Sequence, residues 1–232
     1  MPGRIVKLLL PVSCPCCGSE IRVSDKGDIC PGCRMNLEVI NSYGCLYCGR
    51  PVRGPGLCGR CGQLEVTSNI DAFYIACIYG LNVKKIIINF KYGRRRYLAG
   101  ELSEILAGCW EELQPRGFDF LLPVPLHKTR QRERGYNQSL ELARRLSGVT
   151  GLPVSRGVLT RERKTMAQVS LGRRSRSGNV SGAFRASRRA SGGRFILIDD
   201  VATTGSTLRE CAAALKKSGA LRVGALAVAH GR

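Results

Sequence analysis

Eight of the twelve cysteines stand in four Cys-x-x-Cys pairs: Cys14/Cys17, Cys30/Cys33, Cys45/Cys48 and Cys58/Cys61. Two thiolates at that spacing lie on one side of a tight turn, and two such turns complete a tetrahedral zinc site of four cysteines. Sequential pairing puts one zinc on Cys14, Cys17, Cys30 and Cys33 and another on Cys45, Cys48, Cys58 and Cys61. A cross-braced pairing also satisfies the spacing. Four thiolates leave a metal no open position for water, so both zincs are expected to be structural: a module of about 60 residues with few large apolar side chains needs them in order to fold. A disulfide scaffold would suit an exported chain, and nothing here points to export. Cys16 is left over, and Cys77, Cys109 and Cys211 sit in apolar patterns as small core residues.

The second stretch with chemistry in it is FILIDDVATTGSTL, residues 195–208. Four apolar residues lead into Asp199 and Asp200; a hydroxyl cluster around Gly205 follows, and then a helical pattern begins. Backbone N–H groups of 203–207 would point outward at a helix N-terminus, where the helix dipole favours an anion. Thr203, Thr204, Ser206 and Thr207 add hydroxyl donors, and Gly205 permits a close approach. No Gly-Lys-Ser/Thr follows, so this is not an NTPase P-loop. One phosphate fits the turn, and two vicinal hydroxyls fit the two carboxylates. A 5-phosphorylated ribose matches the whole stretch.

Elements must hold these groups in place. Residues 195–198 read as a strand buried on both faces. Ser206–Lys217 reads as a helix with Leu208, Cys211, Ala212 and Leu215 on one side and Gly219 after its end. Upstream, 73–79 reads as a strand. Val83, Ile86, Ile87 and Phe90 recur at helical spacing, as do Leu98, Leu102, Ile105, Leu106, Cys109 and Leu113. Residues 120–125 form a short strand entering a loop, 139–146 a helix and 221–229 a last strand, whereas 160–193 show no period. Strands alternating with helices predict an α/β domain over 67–232 with a mostly parallel sheet, preceded by a double zinc ribbon over 1–66. Ligands of such sheets sit at the carboxyl ends of strands.

Net charge is +20, and residues 121–194 hold 17 Lys and Arg against 3 Asp and Glu, so +14 of it. Charge so concentrated calls for a polyanionic ligand. No apolar run approaches the roughly 20 residues of a membrane span. The opening apolar stretch is broken by Lys7 and Pro11 with no small-residue cleavage site after it, which reads as the start of a cytoplasmic protein.

A buried strand, Asp-Asp and then Thr-Thr-Gly-Ser-Thr resembles the PRPP-binding motif of type I phosphoribosyltransferases. The wider chain resembles the ComF family of competence-associated proteins. The likeness covers the double ribbon, Phe90-Lys91-Tyr92-Gly93, Leu122-Pro123-Val124-Pro125-Leu126-His127, Arg132-Glu133-Arg134-Gly135-Tyr136-Asn137-Gln138, Thr165 with Gln168, Arg173 and Arg174 with Asn179, and the PRPP motif. The resemblance implies a type I phosphoribosyltransferase-like fold behind the ribbon. It implies that Asp199 and Asp200 act as the catalytic acids holding the ribose hydroxyls, with a magnesium ion nearby. Residues 203–207 would hold the 5-phosphate, with Ala202 standing where a bulkier apolar residue is common. The loop with Arg132, Arg134 and Gly135 would meet pyrophosphate, and 161–180 would close over the site.

Two functions follow from the resemblance and the charge. One is a binding protein for PRPP or a ribose-phosphate group that handles single-stranded DNA during natural transformation, alone or with DNA-uptake proteins. Lys91, Arg94, Arg173 and Arg174 would touch the nucleic acid, with Tyr92, Tyr97 and Tyr136 available to stack on bases. The other is a working transferase moving phosphoribose from PRPP to a nitrogen acceptor, although no segment reads as a hood for a base.

Overall fold

Phe195, Ile196, Leu197 and Ile198 are all buried, as a strand covered by helices on both faces requires. In the computed structural model, which describes residues 12–22, 24, 25, 27–64, 66–162 and 182–231, that strand is β9 (Arg194–Ala202). It lies in a six-stranded sheet. Four strands run parallel in the order β5 (Ala72–Ile78), β10 (Arg222–His230), β9 and β6 (Phe120–Pro123). Ribbon strands β3 (Val39–Gly44) and β4 (Pro51–Val52) extend this sheet antiparallel beyond β5. Two smaller pairings complete the strands, β1 (Val12–Ser13) with β2 (Glu20–Ile21) and β7 (Leu159–Arg161) with β8 (Phe184–Ala186).

The helices are α1 (Pro31–Met35), α2 (Gly59–Gln63), α3 (Leu81–Tyr92), α4 (Ala99–Leu113), α5 (Lys128–Arg134), α6 (Gln138–Thr150) and α7 (Ser206–Lys217). Alternating strand residues divide between two cores. Ile196 and Ile198 pack with Phe90 of α3, Leu102 and Leu106 of α4 and Leu142 and Leu146 of α6. Phe195 and Leu197 pack with Leu208, Cys211, Ala212 and Leu215 of α7. The helices that follow β6 and β9 therefore lie on opposite faces of the sheet. The chain diverges between those two neighbouring strands, and such a divergence opens a crevice at their carboxyl ends.

Several elements differ from the sequence expectation. The 195–198 strand runs four residues further, through the acid pair, because backbone pairing with β10 continues to His230 opposite Ala202. The loop expected after Pro125 contains a seven-residue helix, α5. His127 caps it, its Nδ1 accepting from Thr129 N at 3.3 Å, and Gly135 ends it at φ 81°. The aperiodic 160–193 region contains β8 and a 3₁₀ turn at Arg188–Ala190, three residues each and too short to show a period. Thr165, Gln168, Arg173, Arg174, Asn179 and most of the 161–180 segment lie outside the described residues. Among the described residues no helix is long and apolar enough to cross a membrane.

Candidate functional site

The cysteines assemble as two separate groups. Cys14, Cys17, Cys30 and Cys33 form one and Cys45, Cys48, Cys58 and Cys61 the other, the sulfurs in each lying within 4.8 Å of one another. Pairing is therefore sequential. In each group a backbone N–H points at a sulfur: Cys30 N to Cys14 Sγ at 3.5 Å and Cys58 N to Cys45 Sγ at 3.2 Å. Each first knuckle closes with the N–H of Gly18 or Gly49 on the carbonyl of Cys14 or Cys45. Those N–H groups favour thiolates, and four thiolates at this spacing fit zinc as a closed structural site. Cys16 belongs to neither group; it is buried, its Sγ lies 3.7 Å from Asn82 O, and burial pushes its thiol up to about 12.

Between β9 and α7, residues 203–205 make the turn. Gly205 sits at φ 68° as the N-cap of α7, and no side chain caps that helix, so the N–H groups of its first turn are left for another acceptor. Thr204 Oγ1 bonds Ser206 Oγ at 3.0 Å. Thr203 is exposed, Thr204 and Thr207 are half-buried, and Ser206 and Ala202 are buried. A Cβ on Gly205 would meet Tyr47 O and lie 3.2 Å from the Cys48 carbonyl carbon. The second zinc knuckle thus packs directly on the turn. Arg209 joins the two: its guanidinium donates to Thr204 O at 2.8 Å and also to Tyr47 O, and lies 3.7 Å over the Tyr47 ring.

The acid pair precedes the turn and is enclosed, Asp199 being 9% exposed and Asp200 2%. Asp199 Oδ1 accepts from Ser139 Oγ at 3.1 Å and from Asp200 N at 3.0 Å. Ser139 stands in the first turn of α6, which Asn137 caps through bonds from the N–H groups of Ser139 and Leu140. Asp200 Oδ2 faces the Lys91 ammonium at 2.9 Å. Burial, then the charge of Asp200, raises the Asp199 carboxyl to about 7, while Lys91 and the two hydrogen bonds pull the other way. For Lys91, burial alone would lower the ammonium, but Asp200 and Asp199 outweigh it and hold it above its ordinary value. A divalent cation ligated by both acids would have to displace this ammonium, so the residues present do not fit a magnesium ion bound directly on the pair.

The expected charged residues divide. Lys91, expected on nucleic acid, pairs with Asp200. It also borders a concavity of about 230 Å³ lined by Tyr92, Arg94, Arg130, Glu133 and Arg134. Arg134 lies 5.1 Å over the Tyr92 ring and donates to Gln138 Oε1. Arg132 and Gly135 are exposed on and just after α5, outside that lining. Tyr136 is structural: its hydroxyl donates to Phe90 O and its ring packs on Phe90 at 5.5 Å. Ser139, Arg209 and Tyr47 were not singled out by the sequence, because their partners lie across the fold, and neither was Arg130, which lines the concavity. The separations of 60 residues for Ser139 to Asp199 and 162 for Arg209 to Tyr47 leave no local signal.

Residues 5–62 match the double zinc ribbon domain family, and residues 123–232 match the phosphoribosyl transferase domain family. DNA utilization protein YhgH of Salmonella typhimurium is 32% identical over 223 residues, covering 93% of this chain and 96% of that protein. Competence protein F of Haemophilus influenzae is 28% identical over 209 residues, covering 82% and 91%. Competence protein ComFC of Bacillus subtilis is 28% identical over 195 residues, covering 82% and 79%. Among solved structures, a glutamine PRPP amidotransferase from B. subtilis complexed with ADP and GMP aligns at a TM-score of 0.41 and 19% identity, over 60% of this chain and 30% of that one. With a relative at 32% identity across nearly the full length of both chains, and with the ribbon and transferase domains matched in that order, this chain belongs to the ComF family of competence-associated proteins.

Proposed function

We propose that the chain binds a 5-phosphorylated ribose, presented as PRPP, at the 203–207 turn, and that it handles single-stranded DNA during uptake on the basic surface beside that turn. The observation that carries the reading is the uncapped N-terminus of α7, directly after a buried acid pair at the divergence of β6 and β9. The phosphate takes the free N–H groups and the hydroxyls of 203–207. The ribose hydroxyls donate to Asp199 and Asp200. Magnesium travels with the ligand's diphosphate, and Arg134 with its neighbours Arg94 and Arg130 offers that diphosphate charge-assisted bonds. Ribose 5-phosphate added to labelled protein should shift the amide resonances of 203–208 first and most. Shifts confined to other elements would sink the reading.

The DNA half rests on the +14 segment and on the names of the relatives. Tyr92 is 70% exposed beneath Arg134 and offers a stacking face next to phosphate donors. Affinity for an oligonucleotide should fall steeply with salt, each neutralised phosphate adding about 0.7 to the slope of log K against log salt. Salt-independent binding would remove DNA handling from this surface.

A second reading, turnover of PRPP onto a nitrogen acceptor, is favoured by the match of 123–232 to the transferase family. The acid pair would then stabilise an oxocarbenium-like ribose as pyrophosphate leaves. Release of pyrophosphate from PRPP across a panel of purine and pyrimidine bases tests it, and release no faster than without protein rejects it.

A further inference from the structure

Each acid of the pair has one oxygen already engaged. Asp199 Oδ1 takes the Ser139 hydroxyl and the Asp200 N–H, and Asp200 Oδ2 takes the Lys91 ammonium at 2.9 Å. Asp200 Oδ2 is buried and meets the Lys91 ammonium as an ion pair rather than a hydrogen bond, and Asp199 Oδ2 and Asp200 Oδ1 are the remaining oxygens of the pair, one on each acid for a hydroxyl. Lys91 reaches this position from the last turn of α3, and its side chain is only a fifth exposed. Beyond it the concavity is lined by Arg94, Arg130 and Arg134, with Glu133 as the one acid. Magnesium needs near-octahedral oxygen ligands at close range and gives up water reluctantly. Here it would have to evict an ammonium from a nearly dry carboxylate while facing three guanidinium groups. A built-in ammonium neutralises the Asp200 carboxylate with no need of a metal, and it leaves one oxygen of each acid for a hydroxyl.

We infer that Lys91 is the resident counter-cation of the acid pair, and that the pair grips the diol of a ribose 5-phosphate without a divalent metal. The inference rests on the phosphoribosyl reading above and deepens it. Lys91 acts through Asp200 and is a positioning residue. Any magnesium requirement shown by a diphosphate-bearing ligand belongs to the diphosphate and not to the acids.

The test is calorimetric titration of ribose 5-phosphate, which carries no diphosphate, into zinc-loaded protein in magnesium-free buffer and in saturating magnesium. Wild-type affinity should agree between the two conditions within about twofold. Lys91→Met should weaken binding by about tenfold or more without magnesium and recover much of the loss when magnesium is added, since a metal can now enter. Lys91→Arg should restore metal-independent binding. A wild type that loses about tenfold when magnesium is withheld, or a folded Lys91→Met that binds as tightly and as independently of metal as wild type, overturns the inference. If Lys91→Met does not fold, the wild-type response and Lys91→Arg decide the matter. No binding by wild type in either buffer is a separate result: it removes the phosphoribosyl reading, and this inference with it.

Discussion

Burial sets the Asp199 carboxyl to titrate near neutral pH rather than in the ordinary carboxylate range. The group stands at about 7 against an ordinary 3.8, chiefly because burial penalises the ionised form. A group raised on folding contributes stability that is complete below its unfolded pKa and is lost as pH climbs through the folded value. Between pH 4 and 7 wild type should therefore lose up to about 1.4 kcal/mol per pH unit relative to Asp199→Asn, whose amide does not titrate. Chemical denaturation of both proteins across that range gives the difference, and parallel pH profiles would contradict it. At this scale the motif was legible: Asp199, Asp200, the four hydroxyls and Gly205 lie within one short stretch. Their partners were not, because Ser139 and Lys91 come from α6 and α3, and only the packing of those helices on one face of β9 brings them in.

Helix α7 and the turn before it make the proposed phosphate site, and Gly205 is the residue on which their geometry depends. Its φ of 68° is in the left-handed region, and the Cys48 carbonyl carbon would lie 3.2 Å from an added Cβ. Gly205→Ala should cost about 1 to 3 kcal/mol through backbone strain and the contact with the knuckle. Urea denaturation measures this, and a loss below about 0.5 kcal/mol would show that the turn relaxes freely. Helix α7 was legible to the residue, since its apolar stripe and following glycine are local. The length of β9 was not, because two aspartates look like the end of a strand. Pairing to β10 and burial beside Lys91 keep them inside one. Helix α5 hid in the same way, as seven polar residues with no apolar face.

The whole molecule ties both zinc sites to the site elements. The first ribbon sits on α3: Asn82 Nδ2 donates to Cys33 O at 3.3 Å, Lys85 Nζ to Cys16 O at 2.5 Å and Asn89 Nδ2 to Pro15 O at 3.3 Å. Arg34 pairs with Glu101 and Glu104 of α4. The second ribbon adds β3 and β4 to the sheet edge and packs Tyr47 and Cys48 on the 203–205 turn. The sequence announced the metals through spacing, but it carried no sign of where the ribbons dock. Antiparallel addition to β5 depends on an edge that only the folded sheet presents. Cys48→Ser should reduce bound zinc from two ions to one and speed hydrogen exchange across 203–209. Cys17→Ser, which strikes the other site, should leave those amides protected. Equal protection of 203–209 in the two variants would mean that the second knuckle does not brace the turn.

The central claim is that a phosphorylated ribose docks where β9 turns into α7, with its hydroxyls on Asp199 and Asp200. The most direct measurement is equilibrium binding of PRPP to zinc-loaded wild type and to the Asp199→Asn/Asp200→Asn double variant, at one magnesium concentration. The account predicts saturable binding of one PRPP per chain by wild type, and affinity lower by about tenfold or more in the double variant as charge-assisted bonds are lost. No binding by wild type, or equal affinity in a folded double variant, would contradict it.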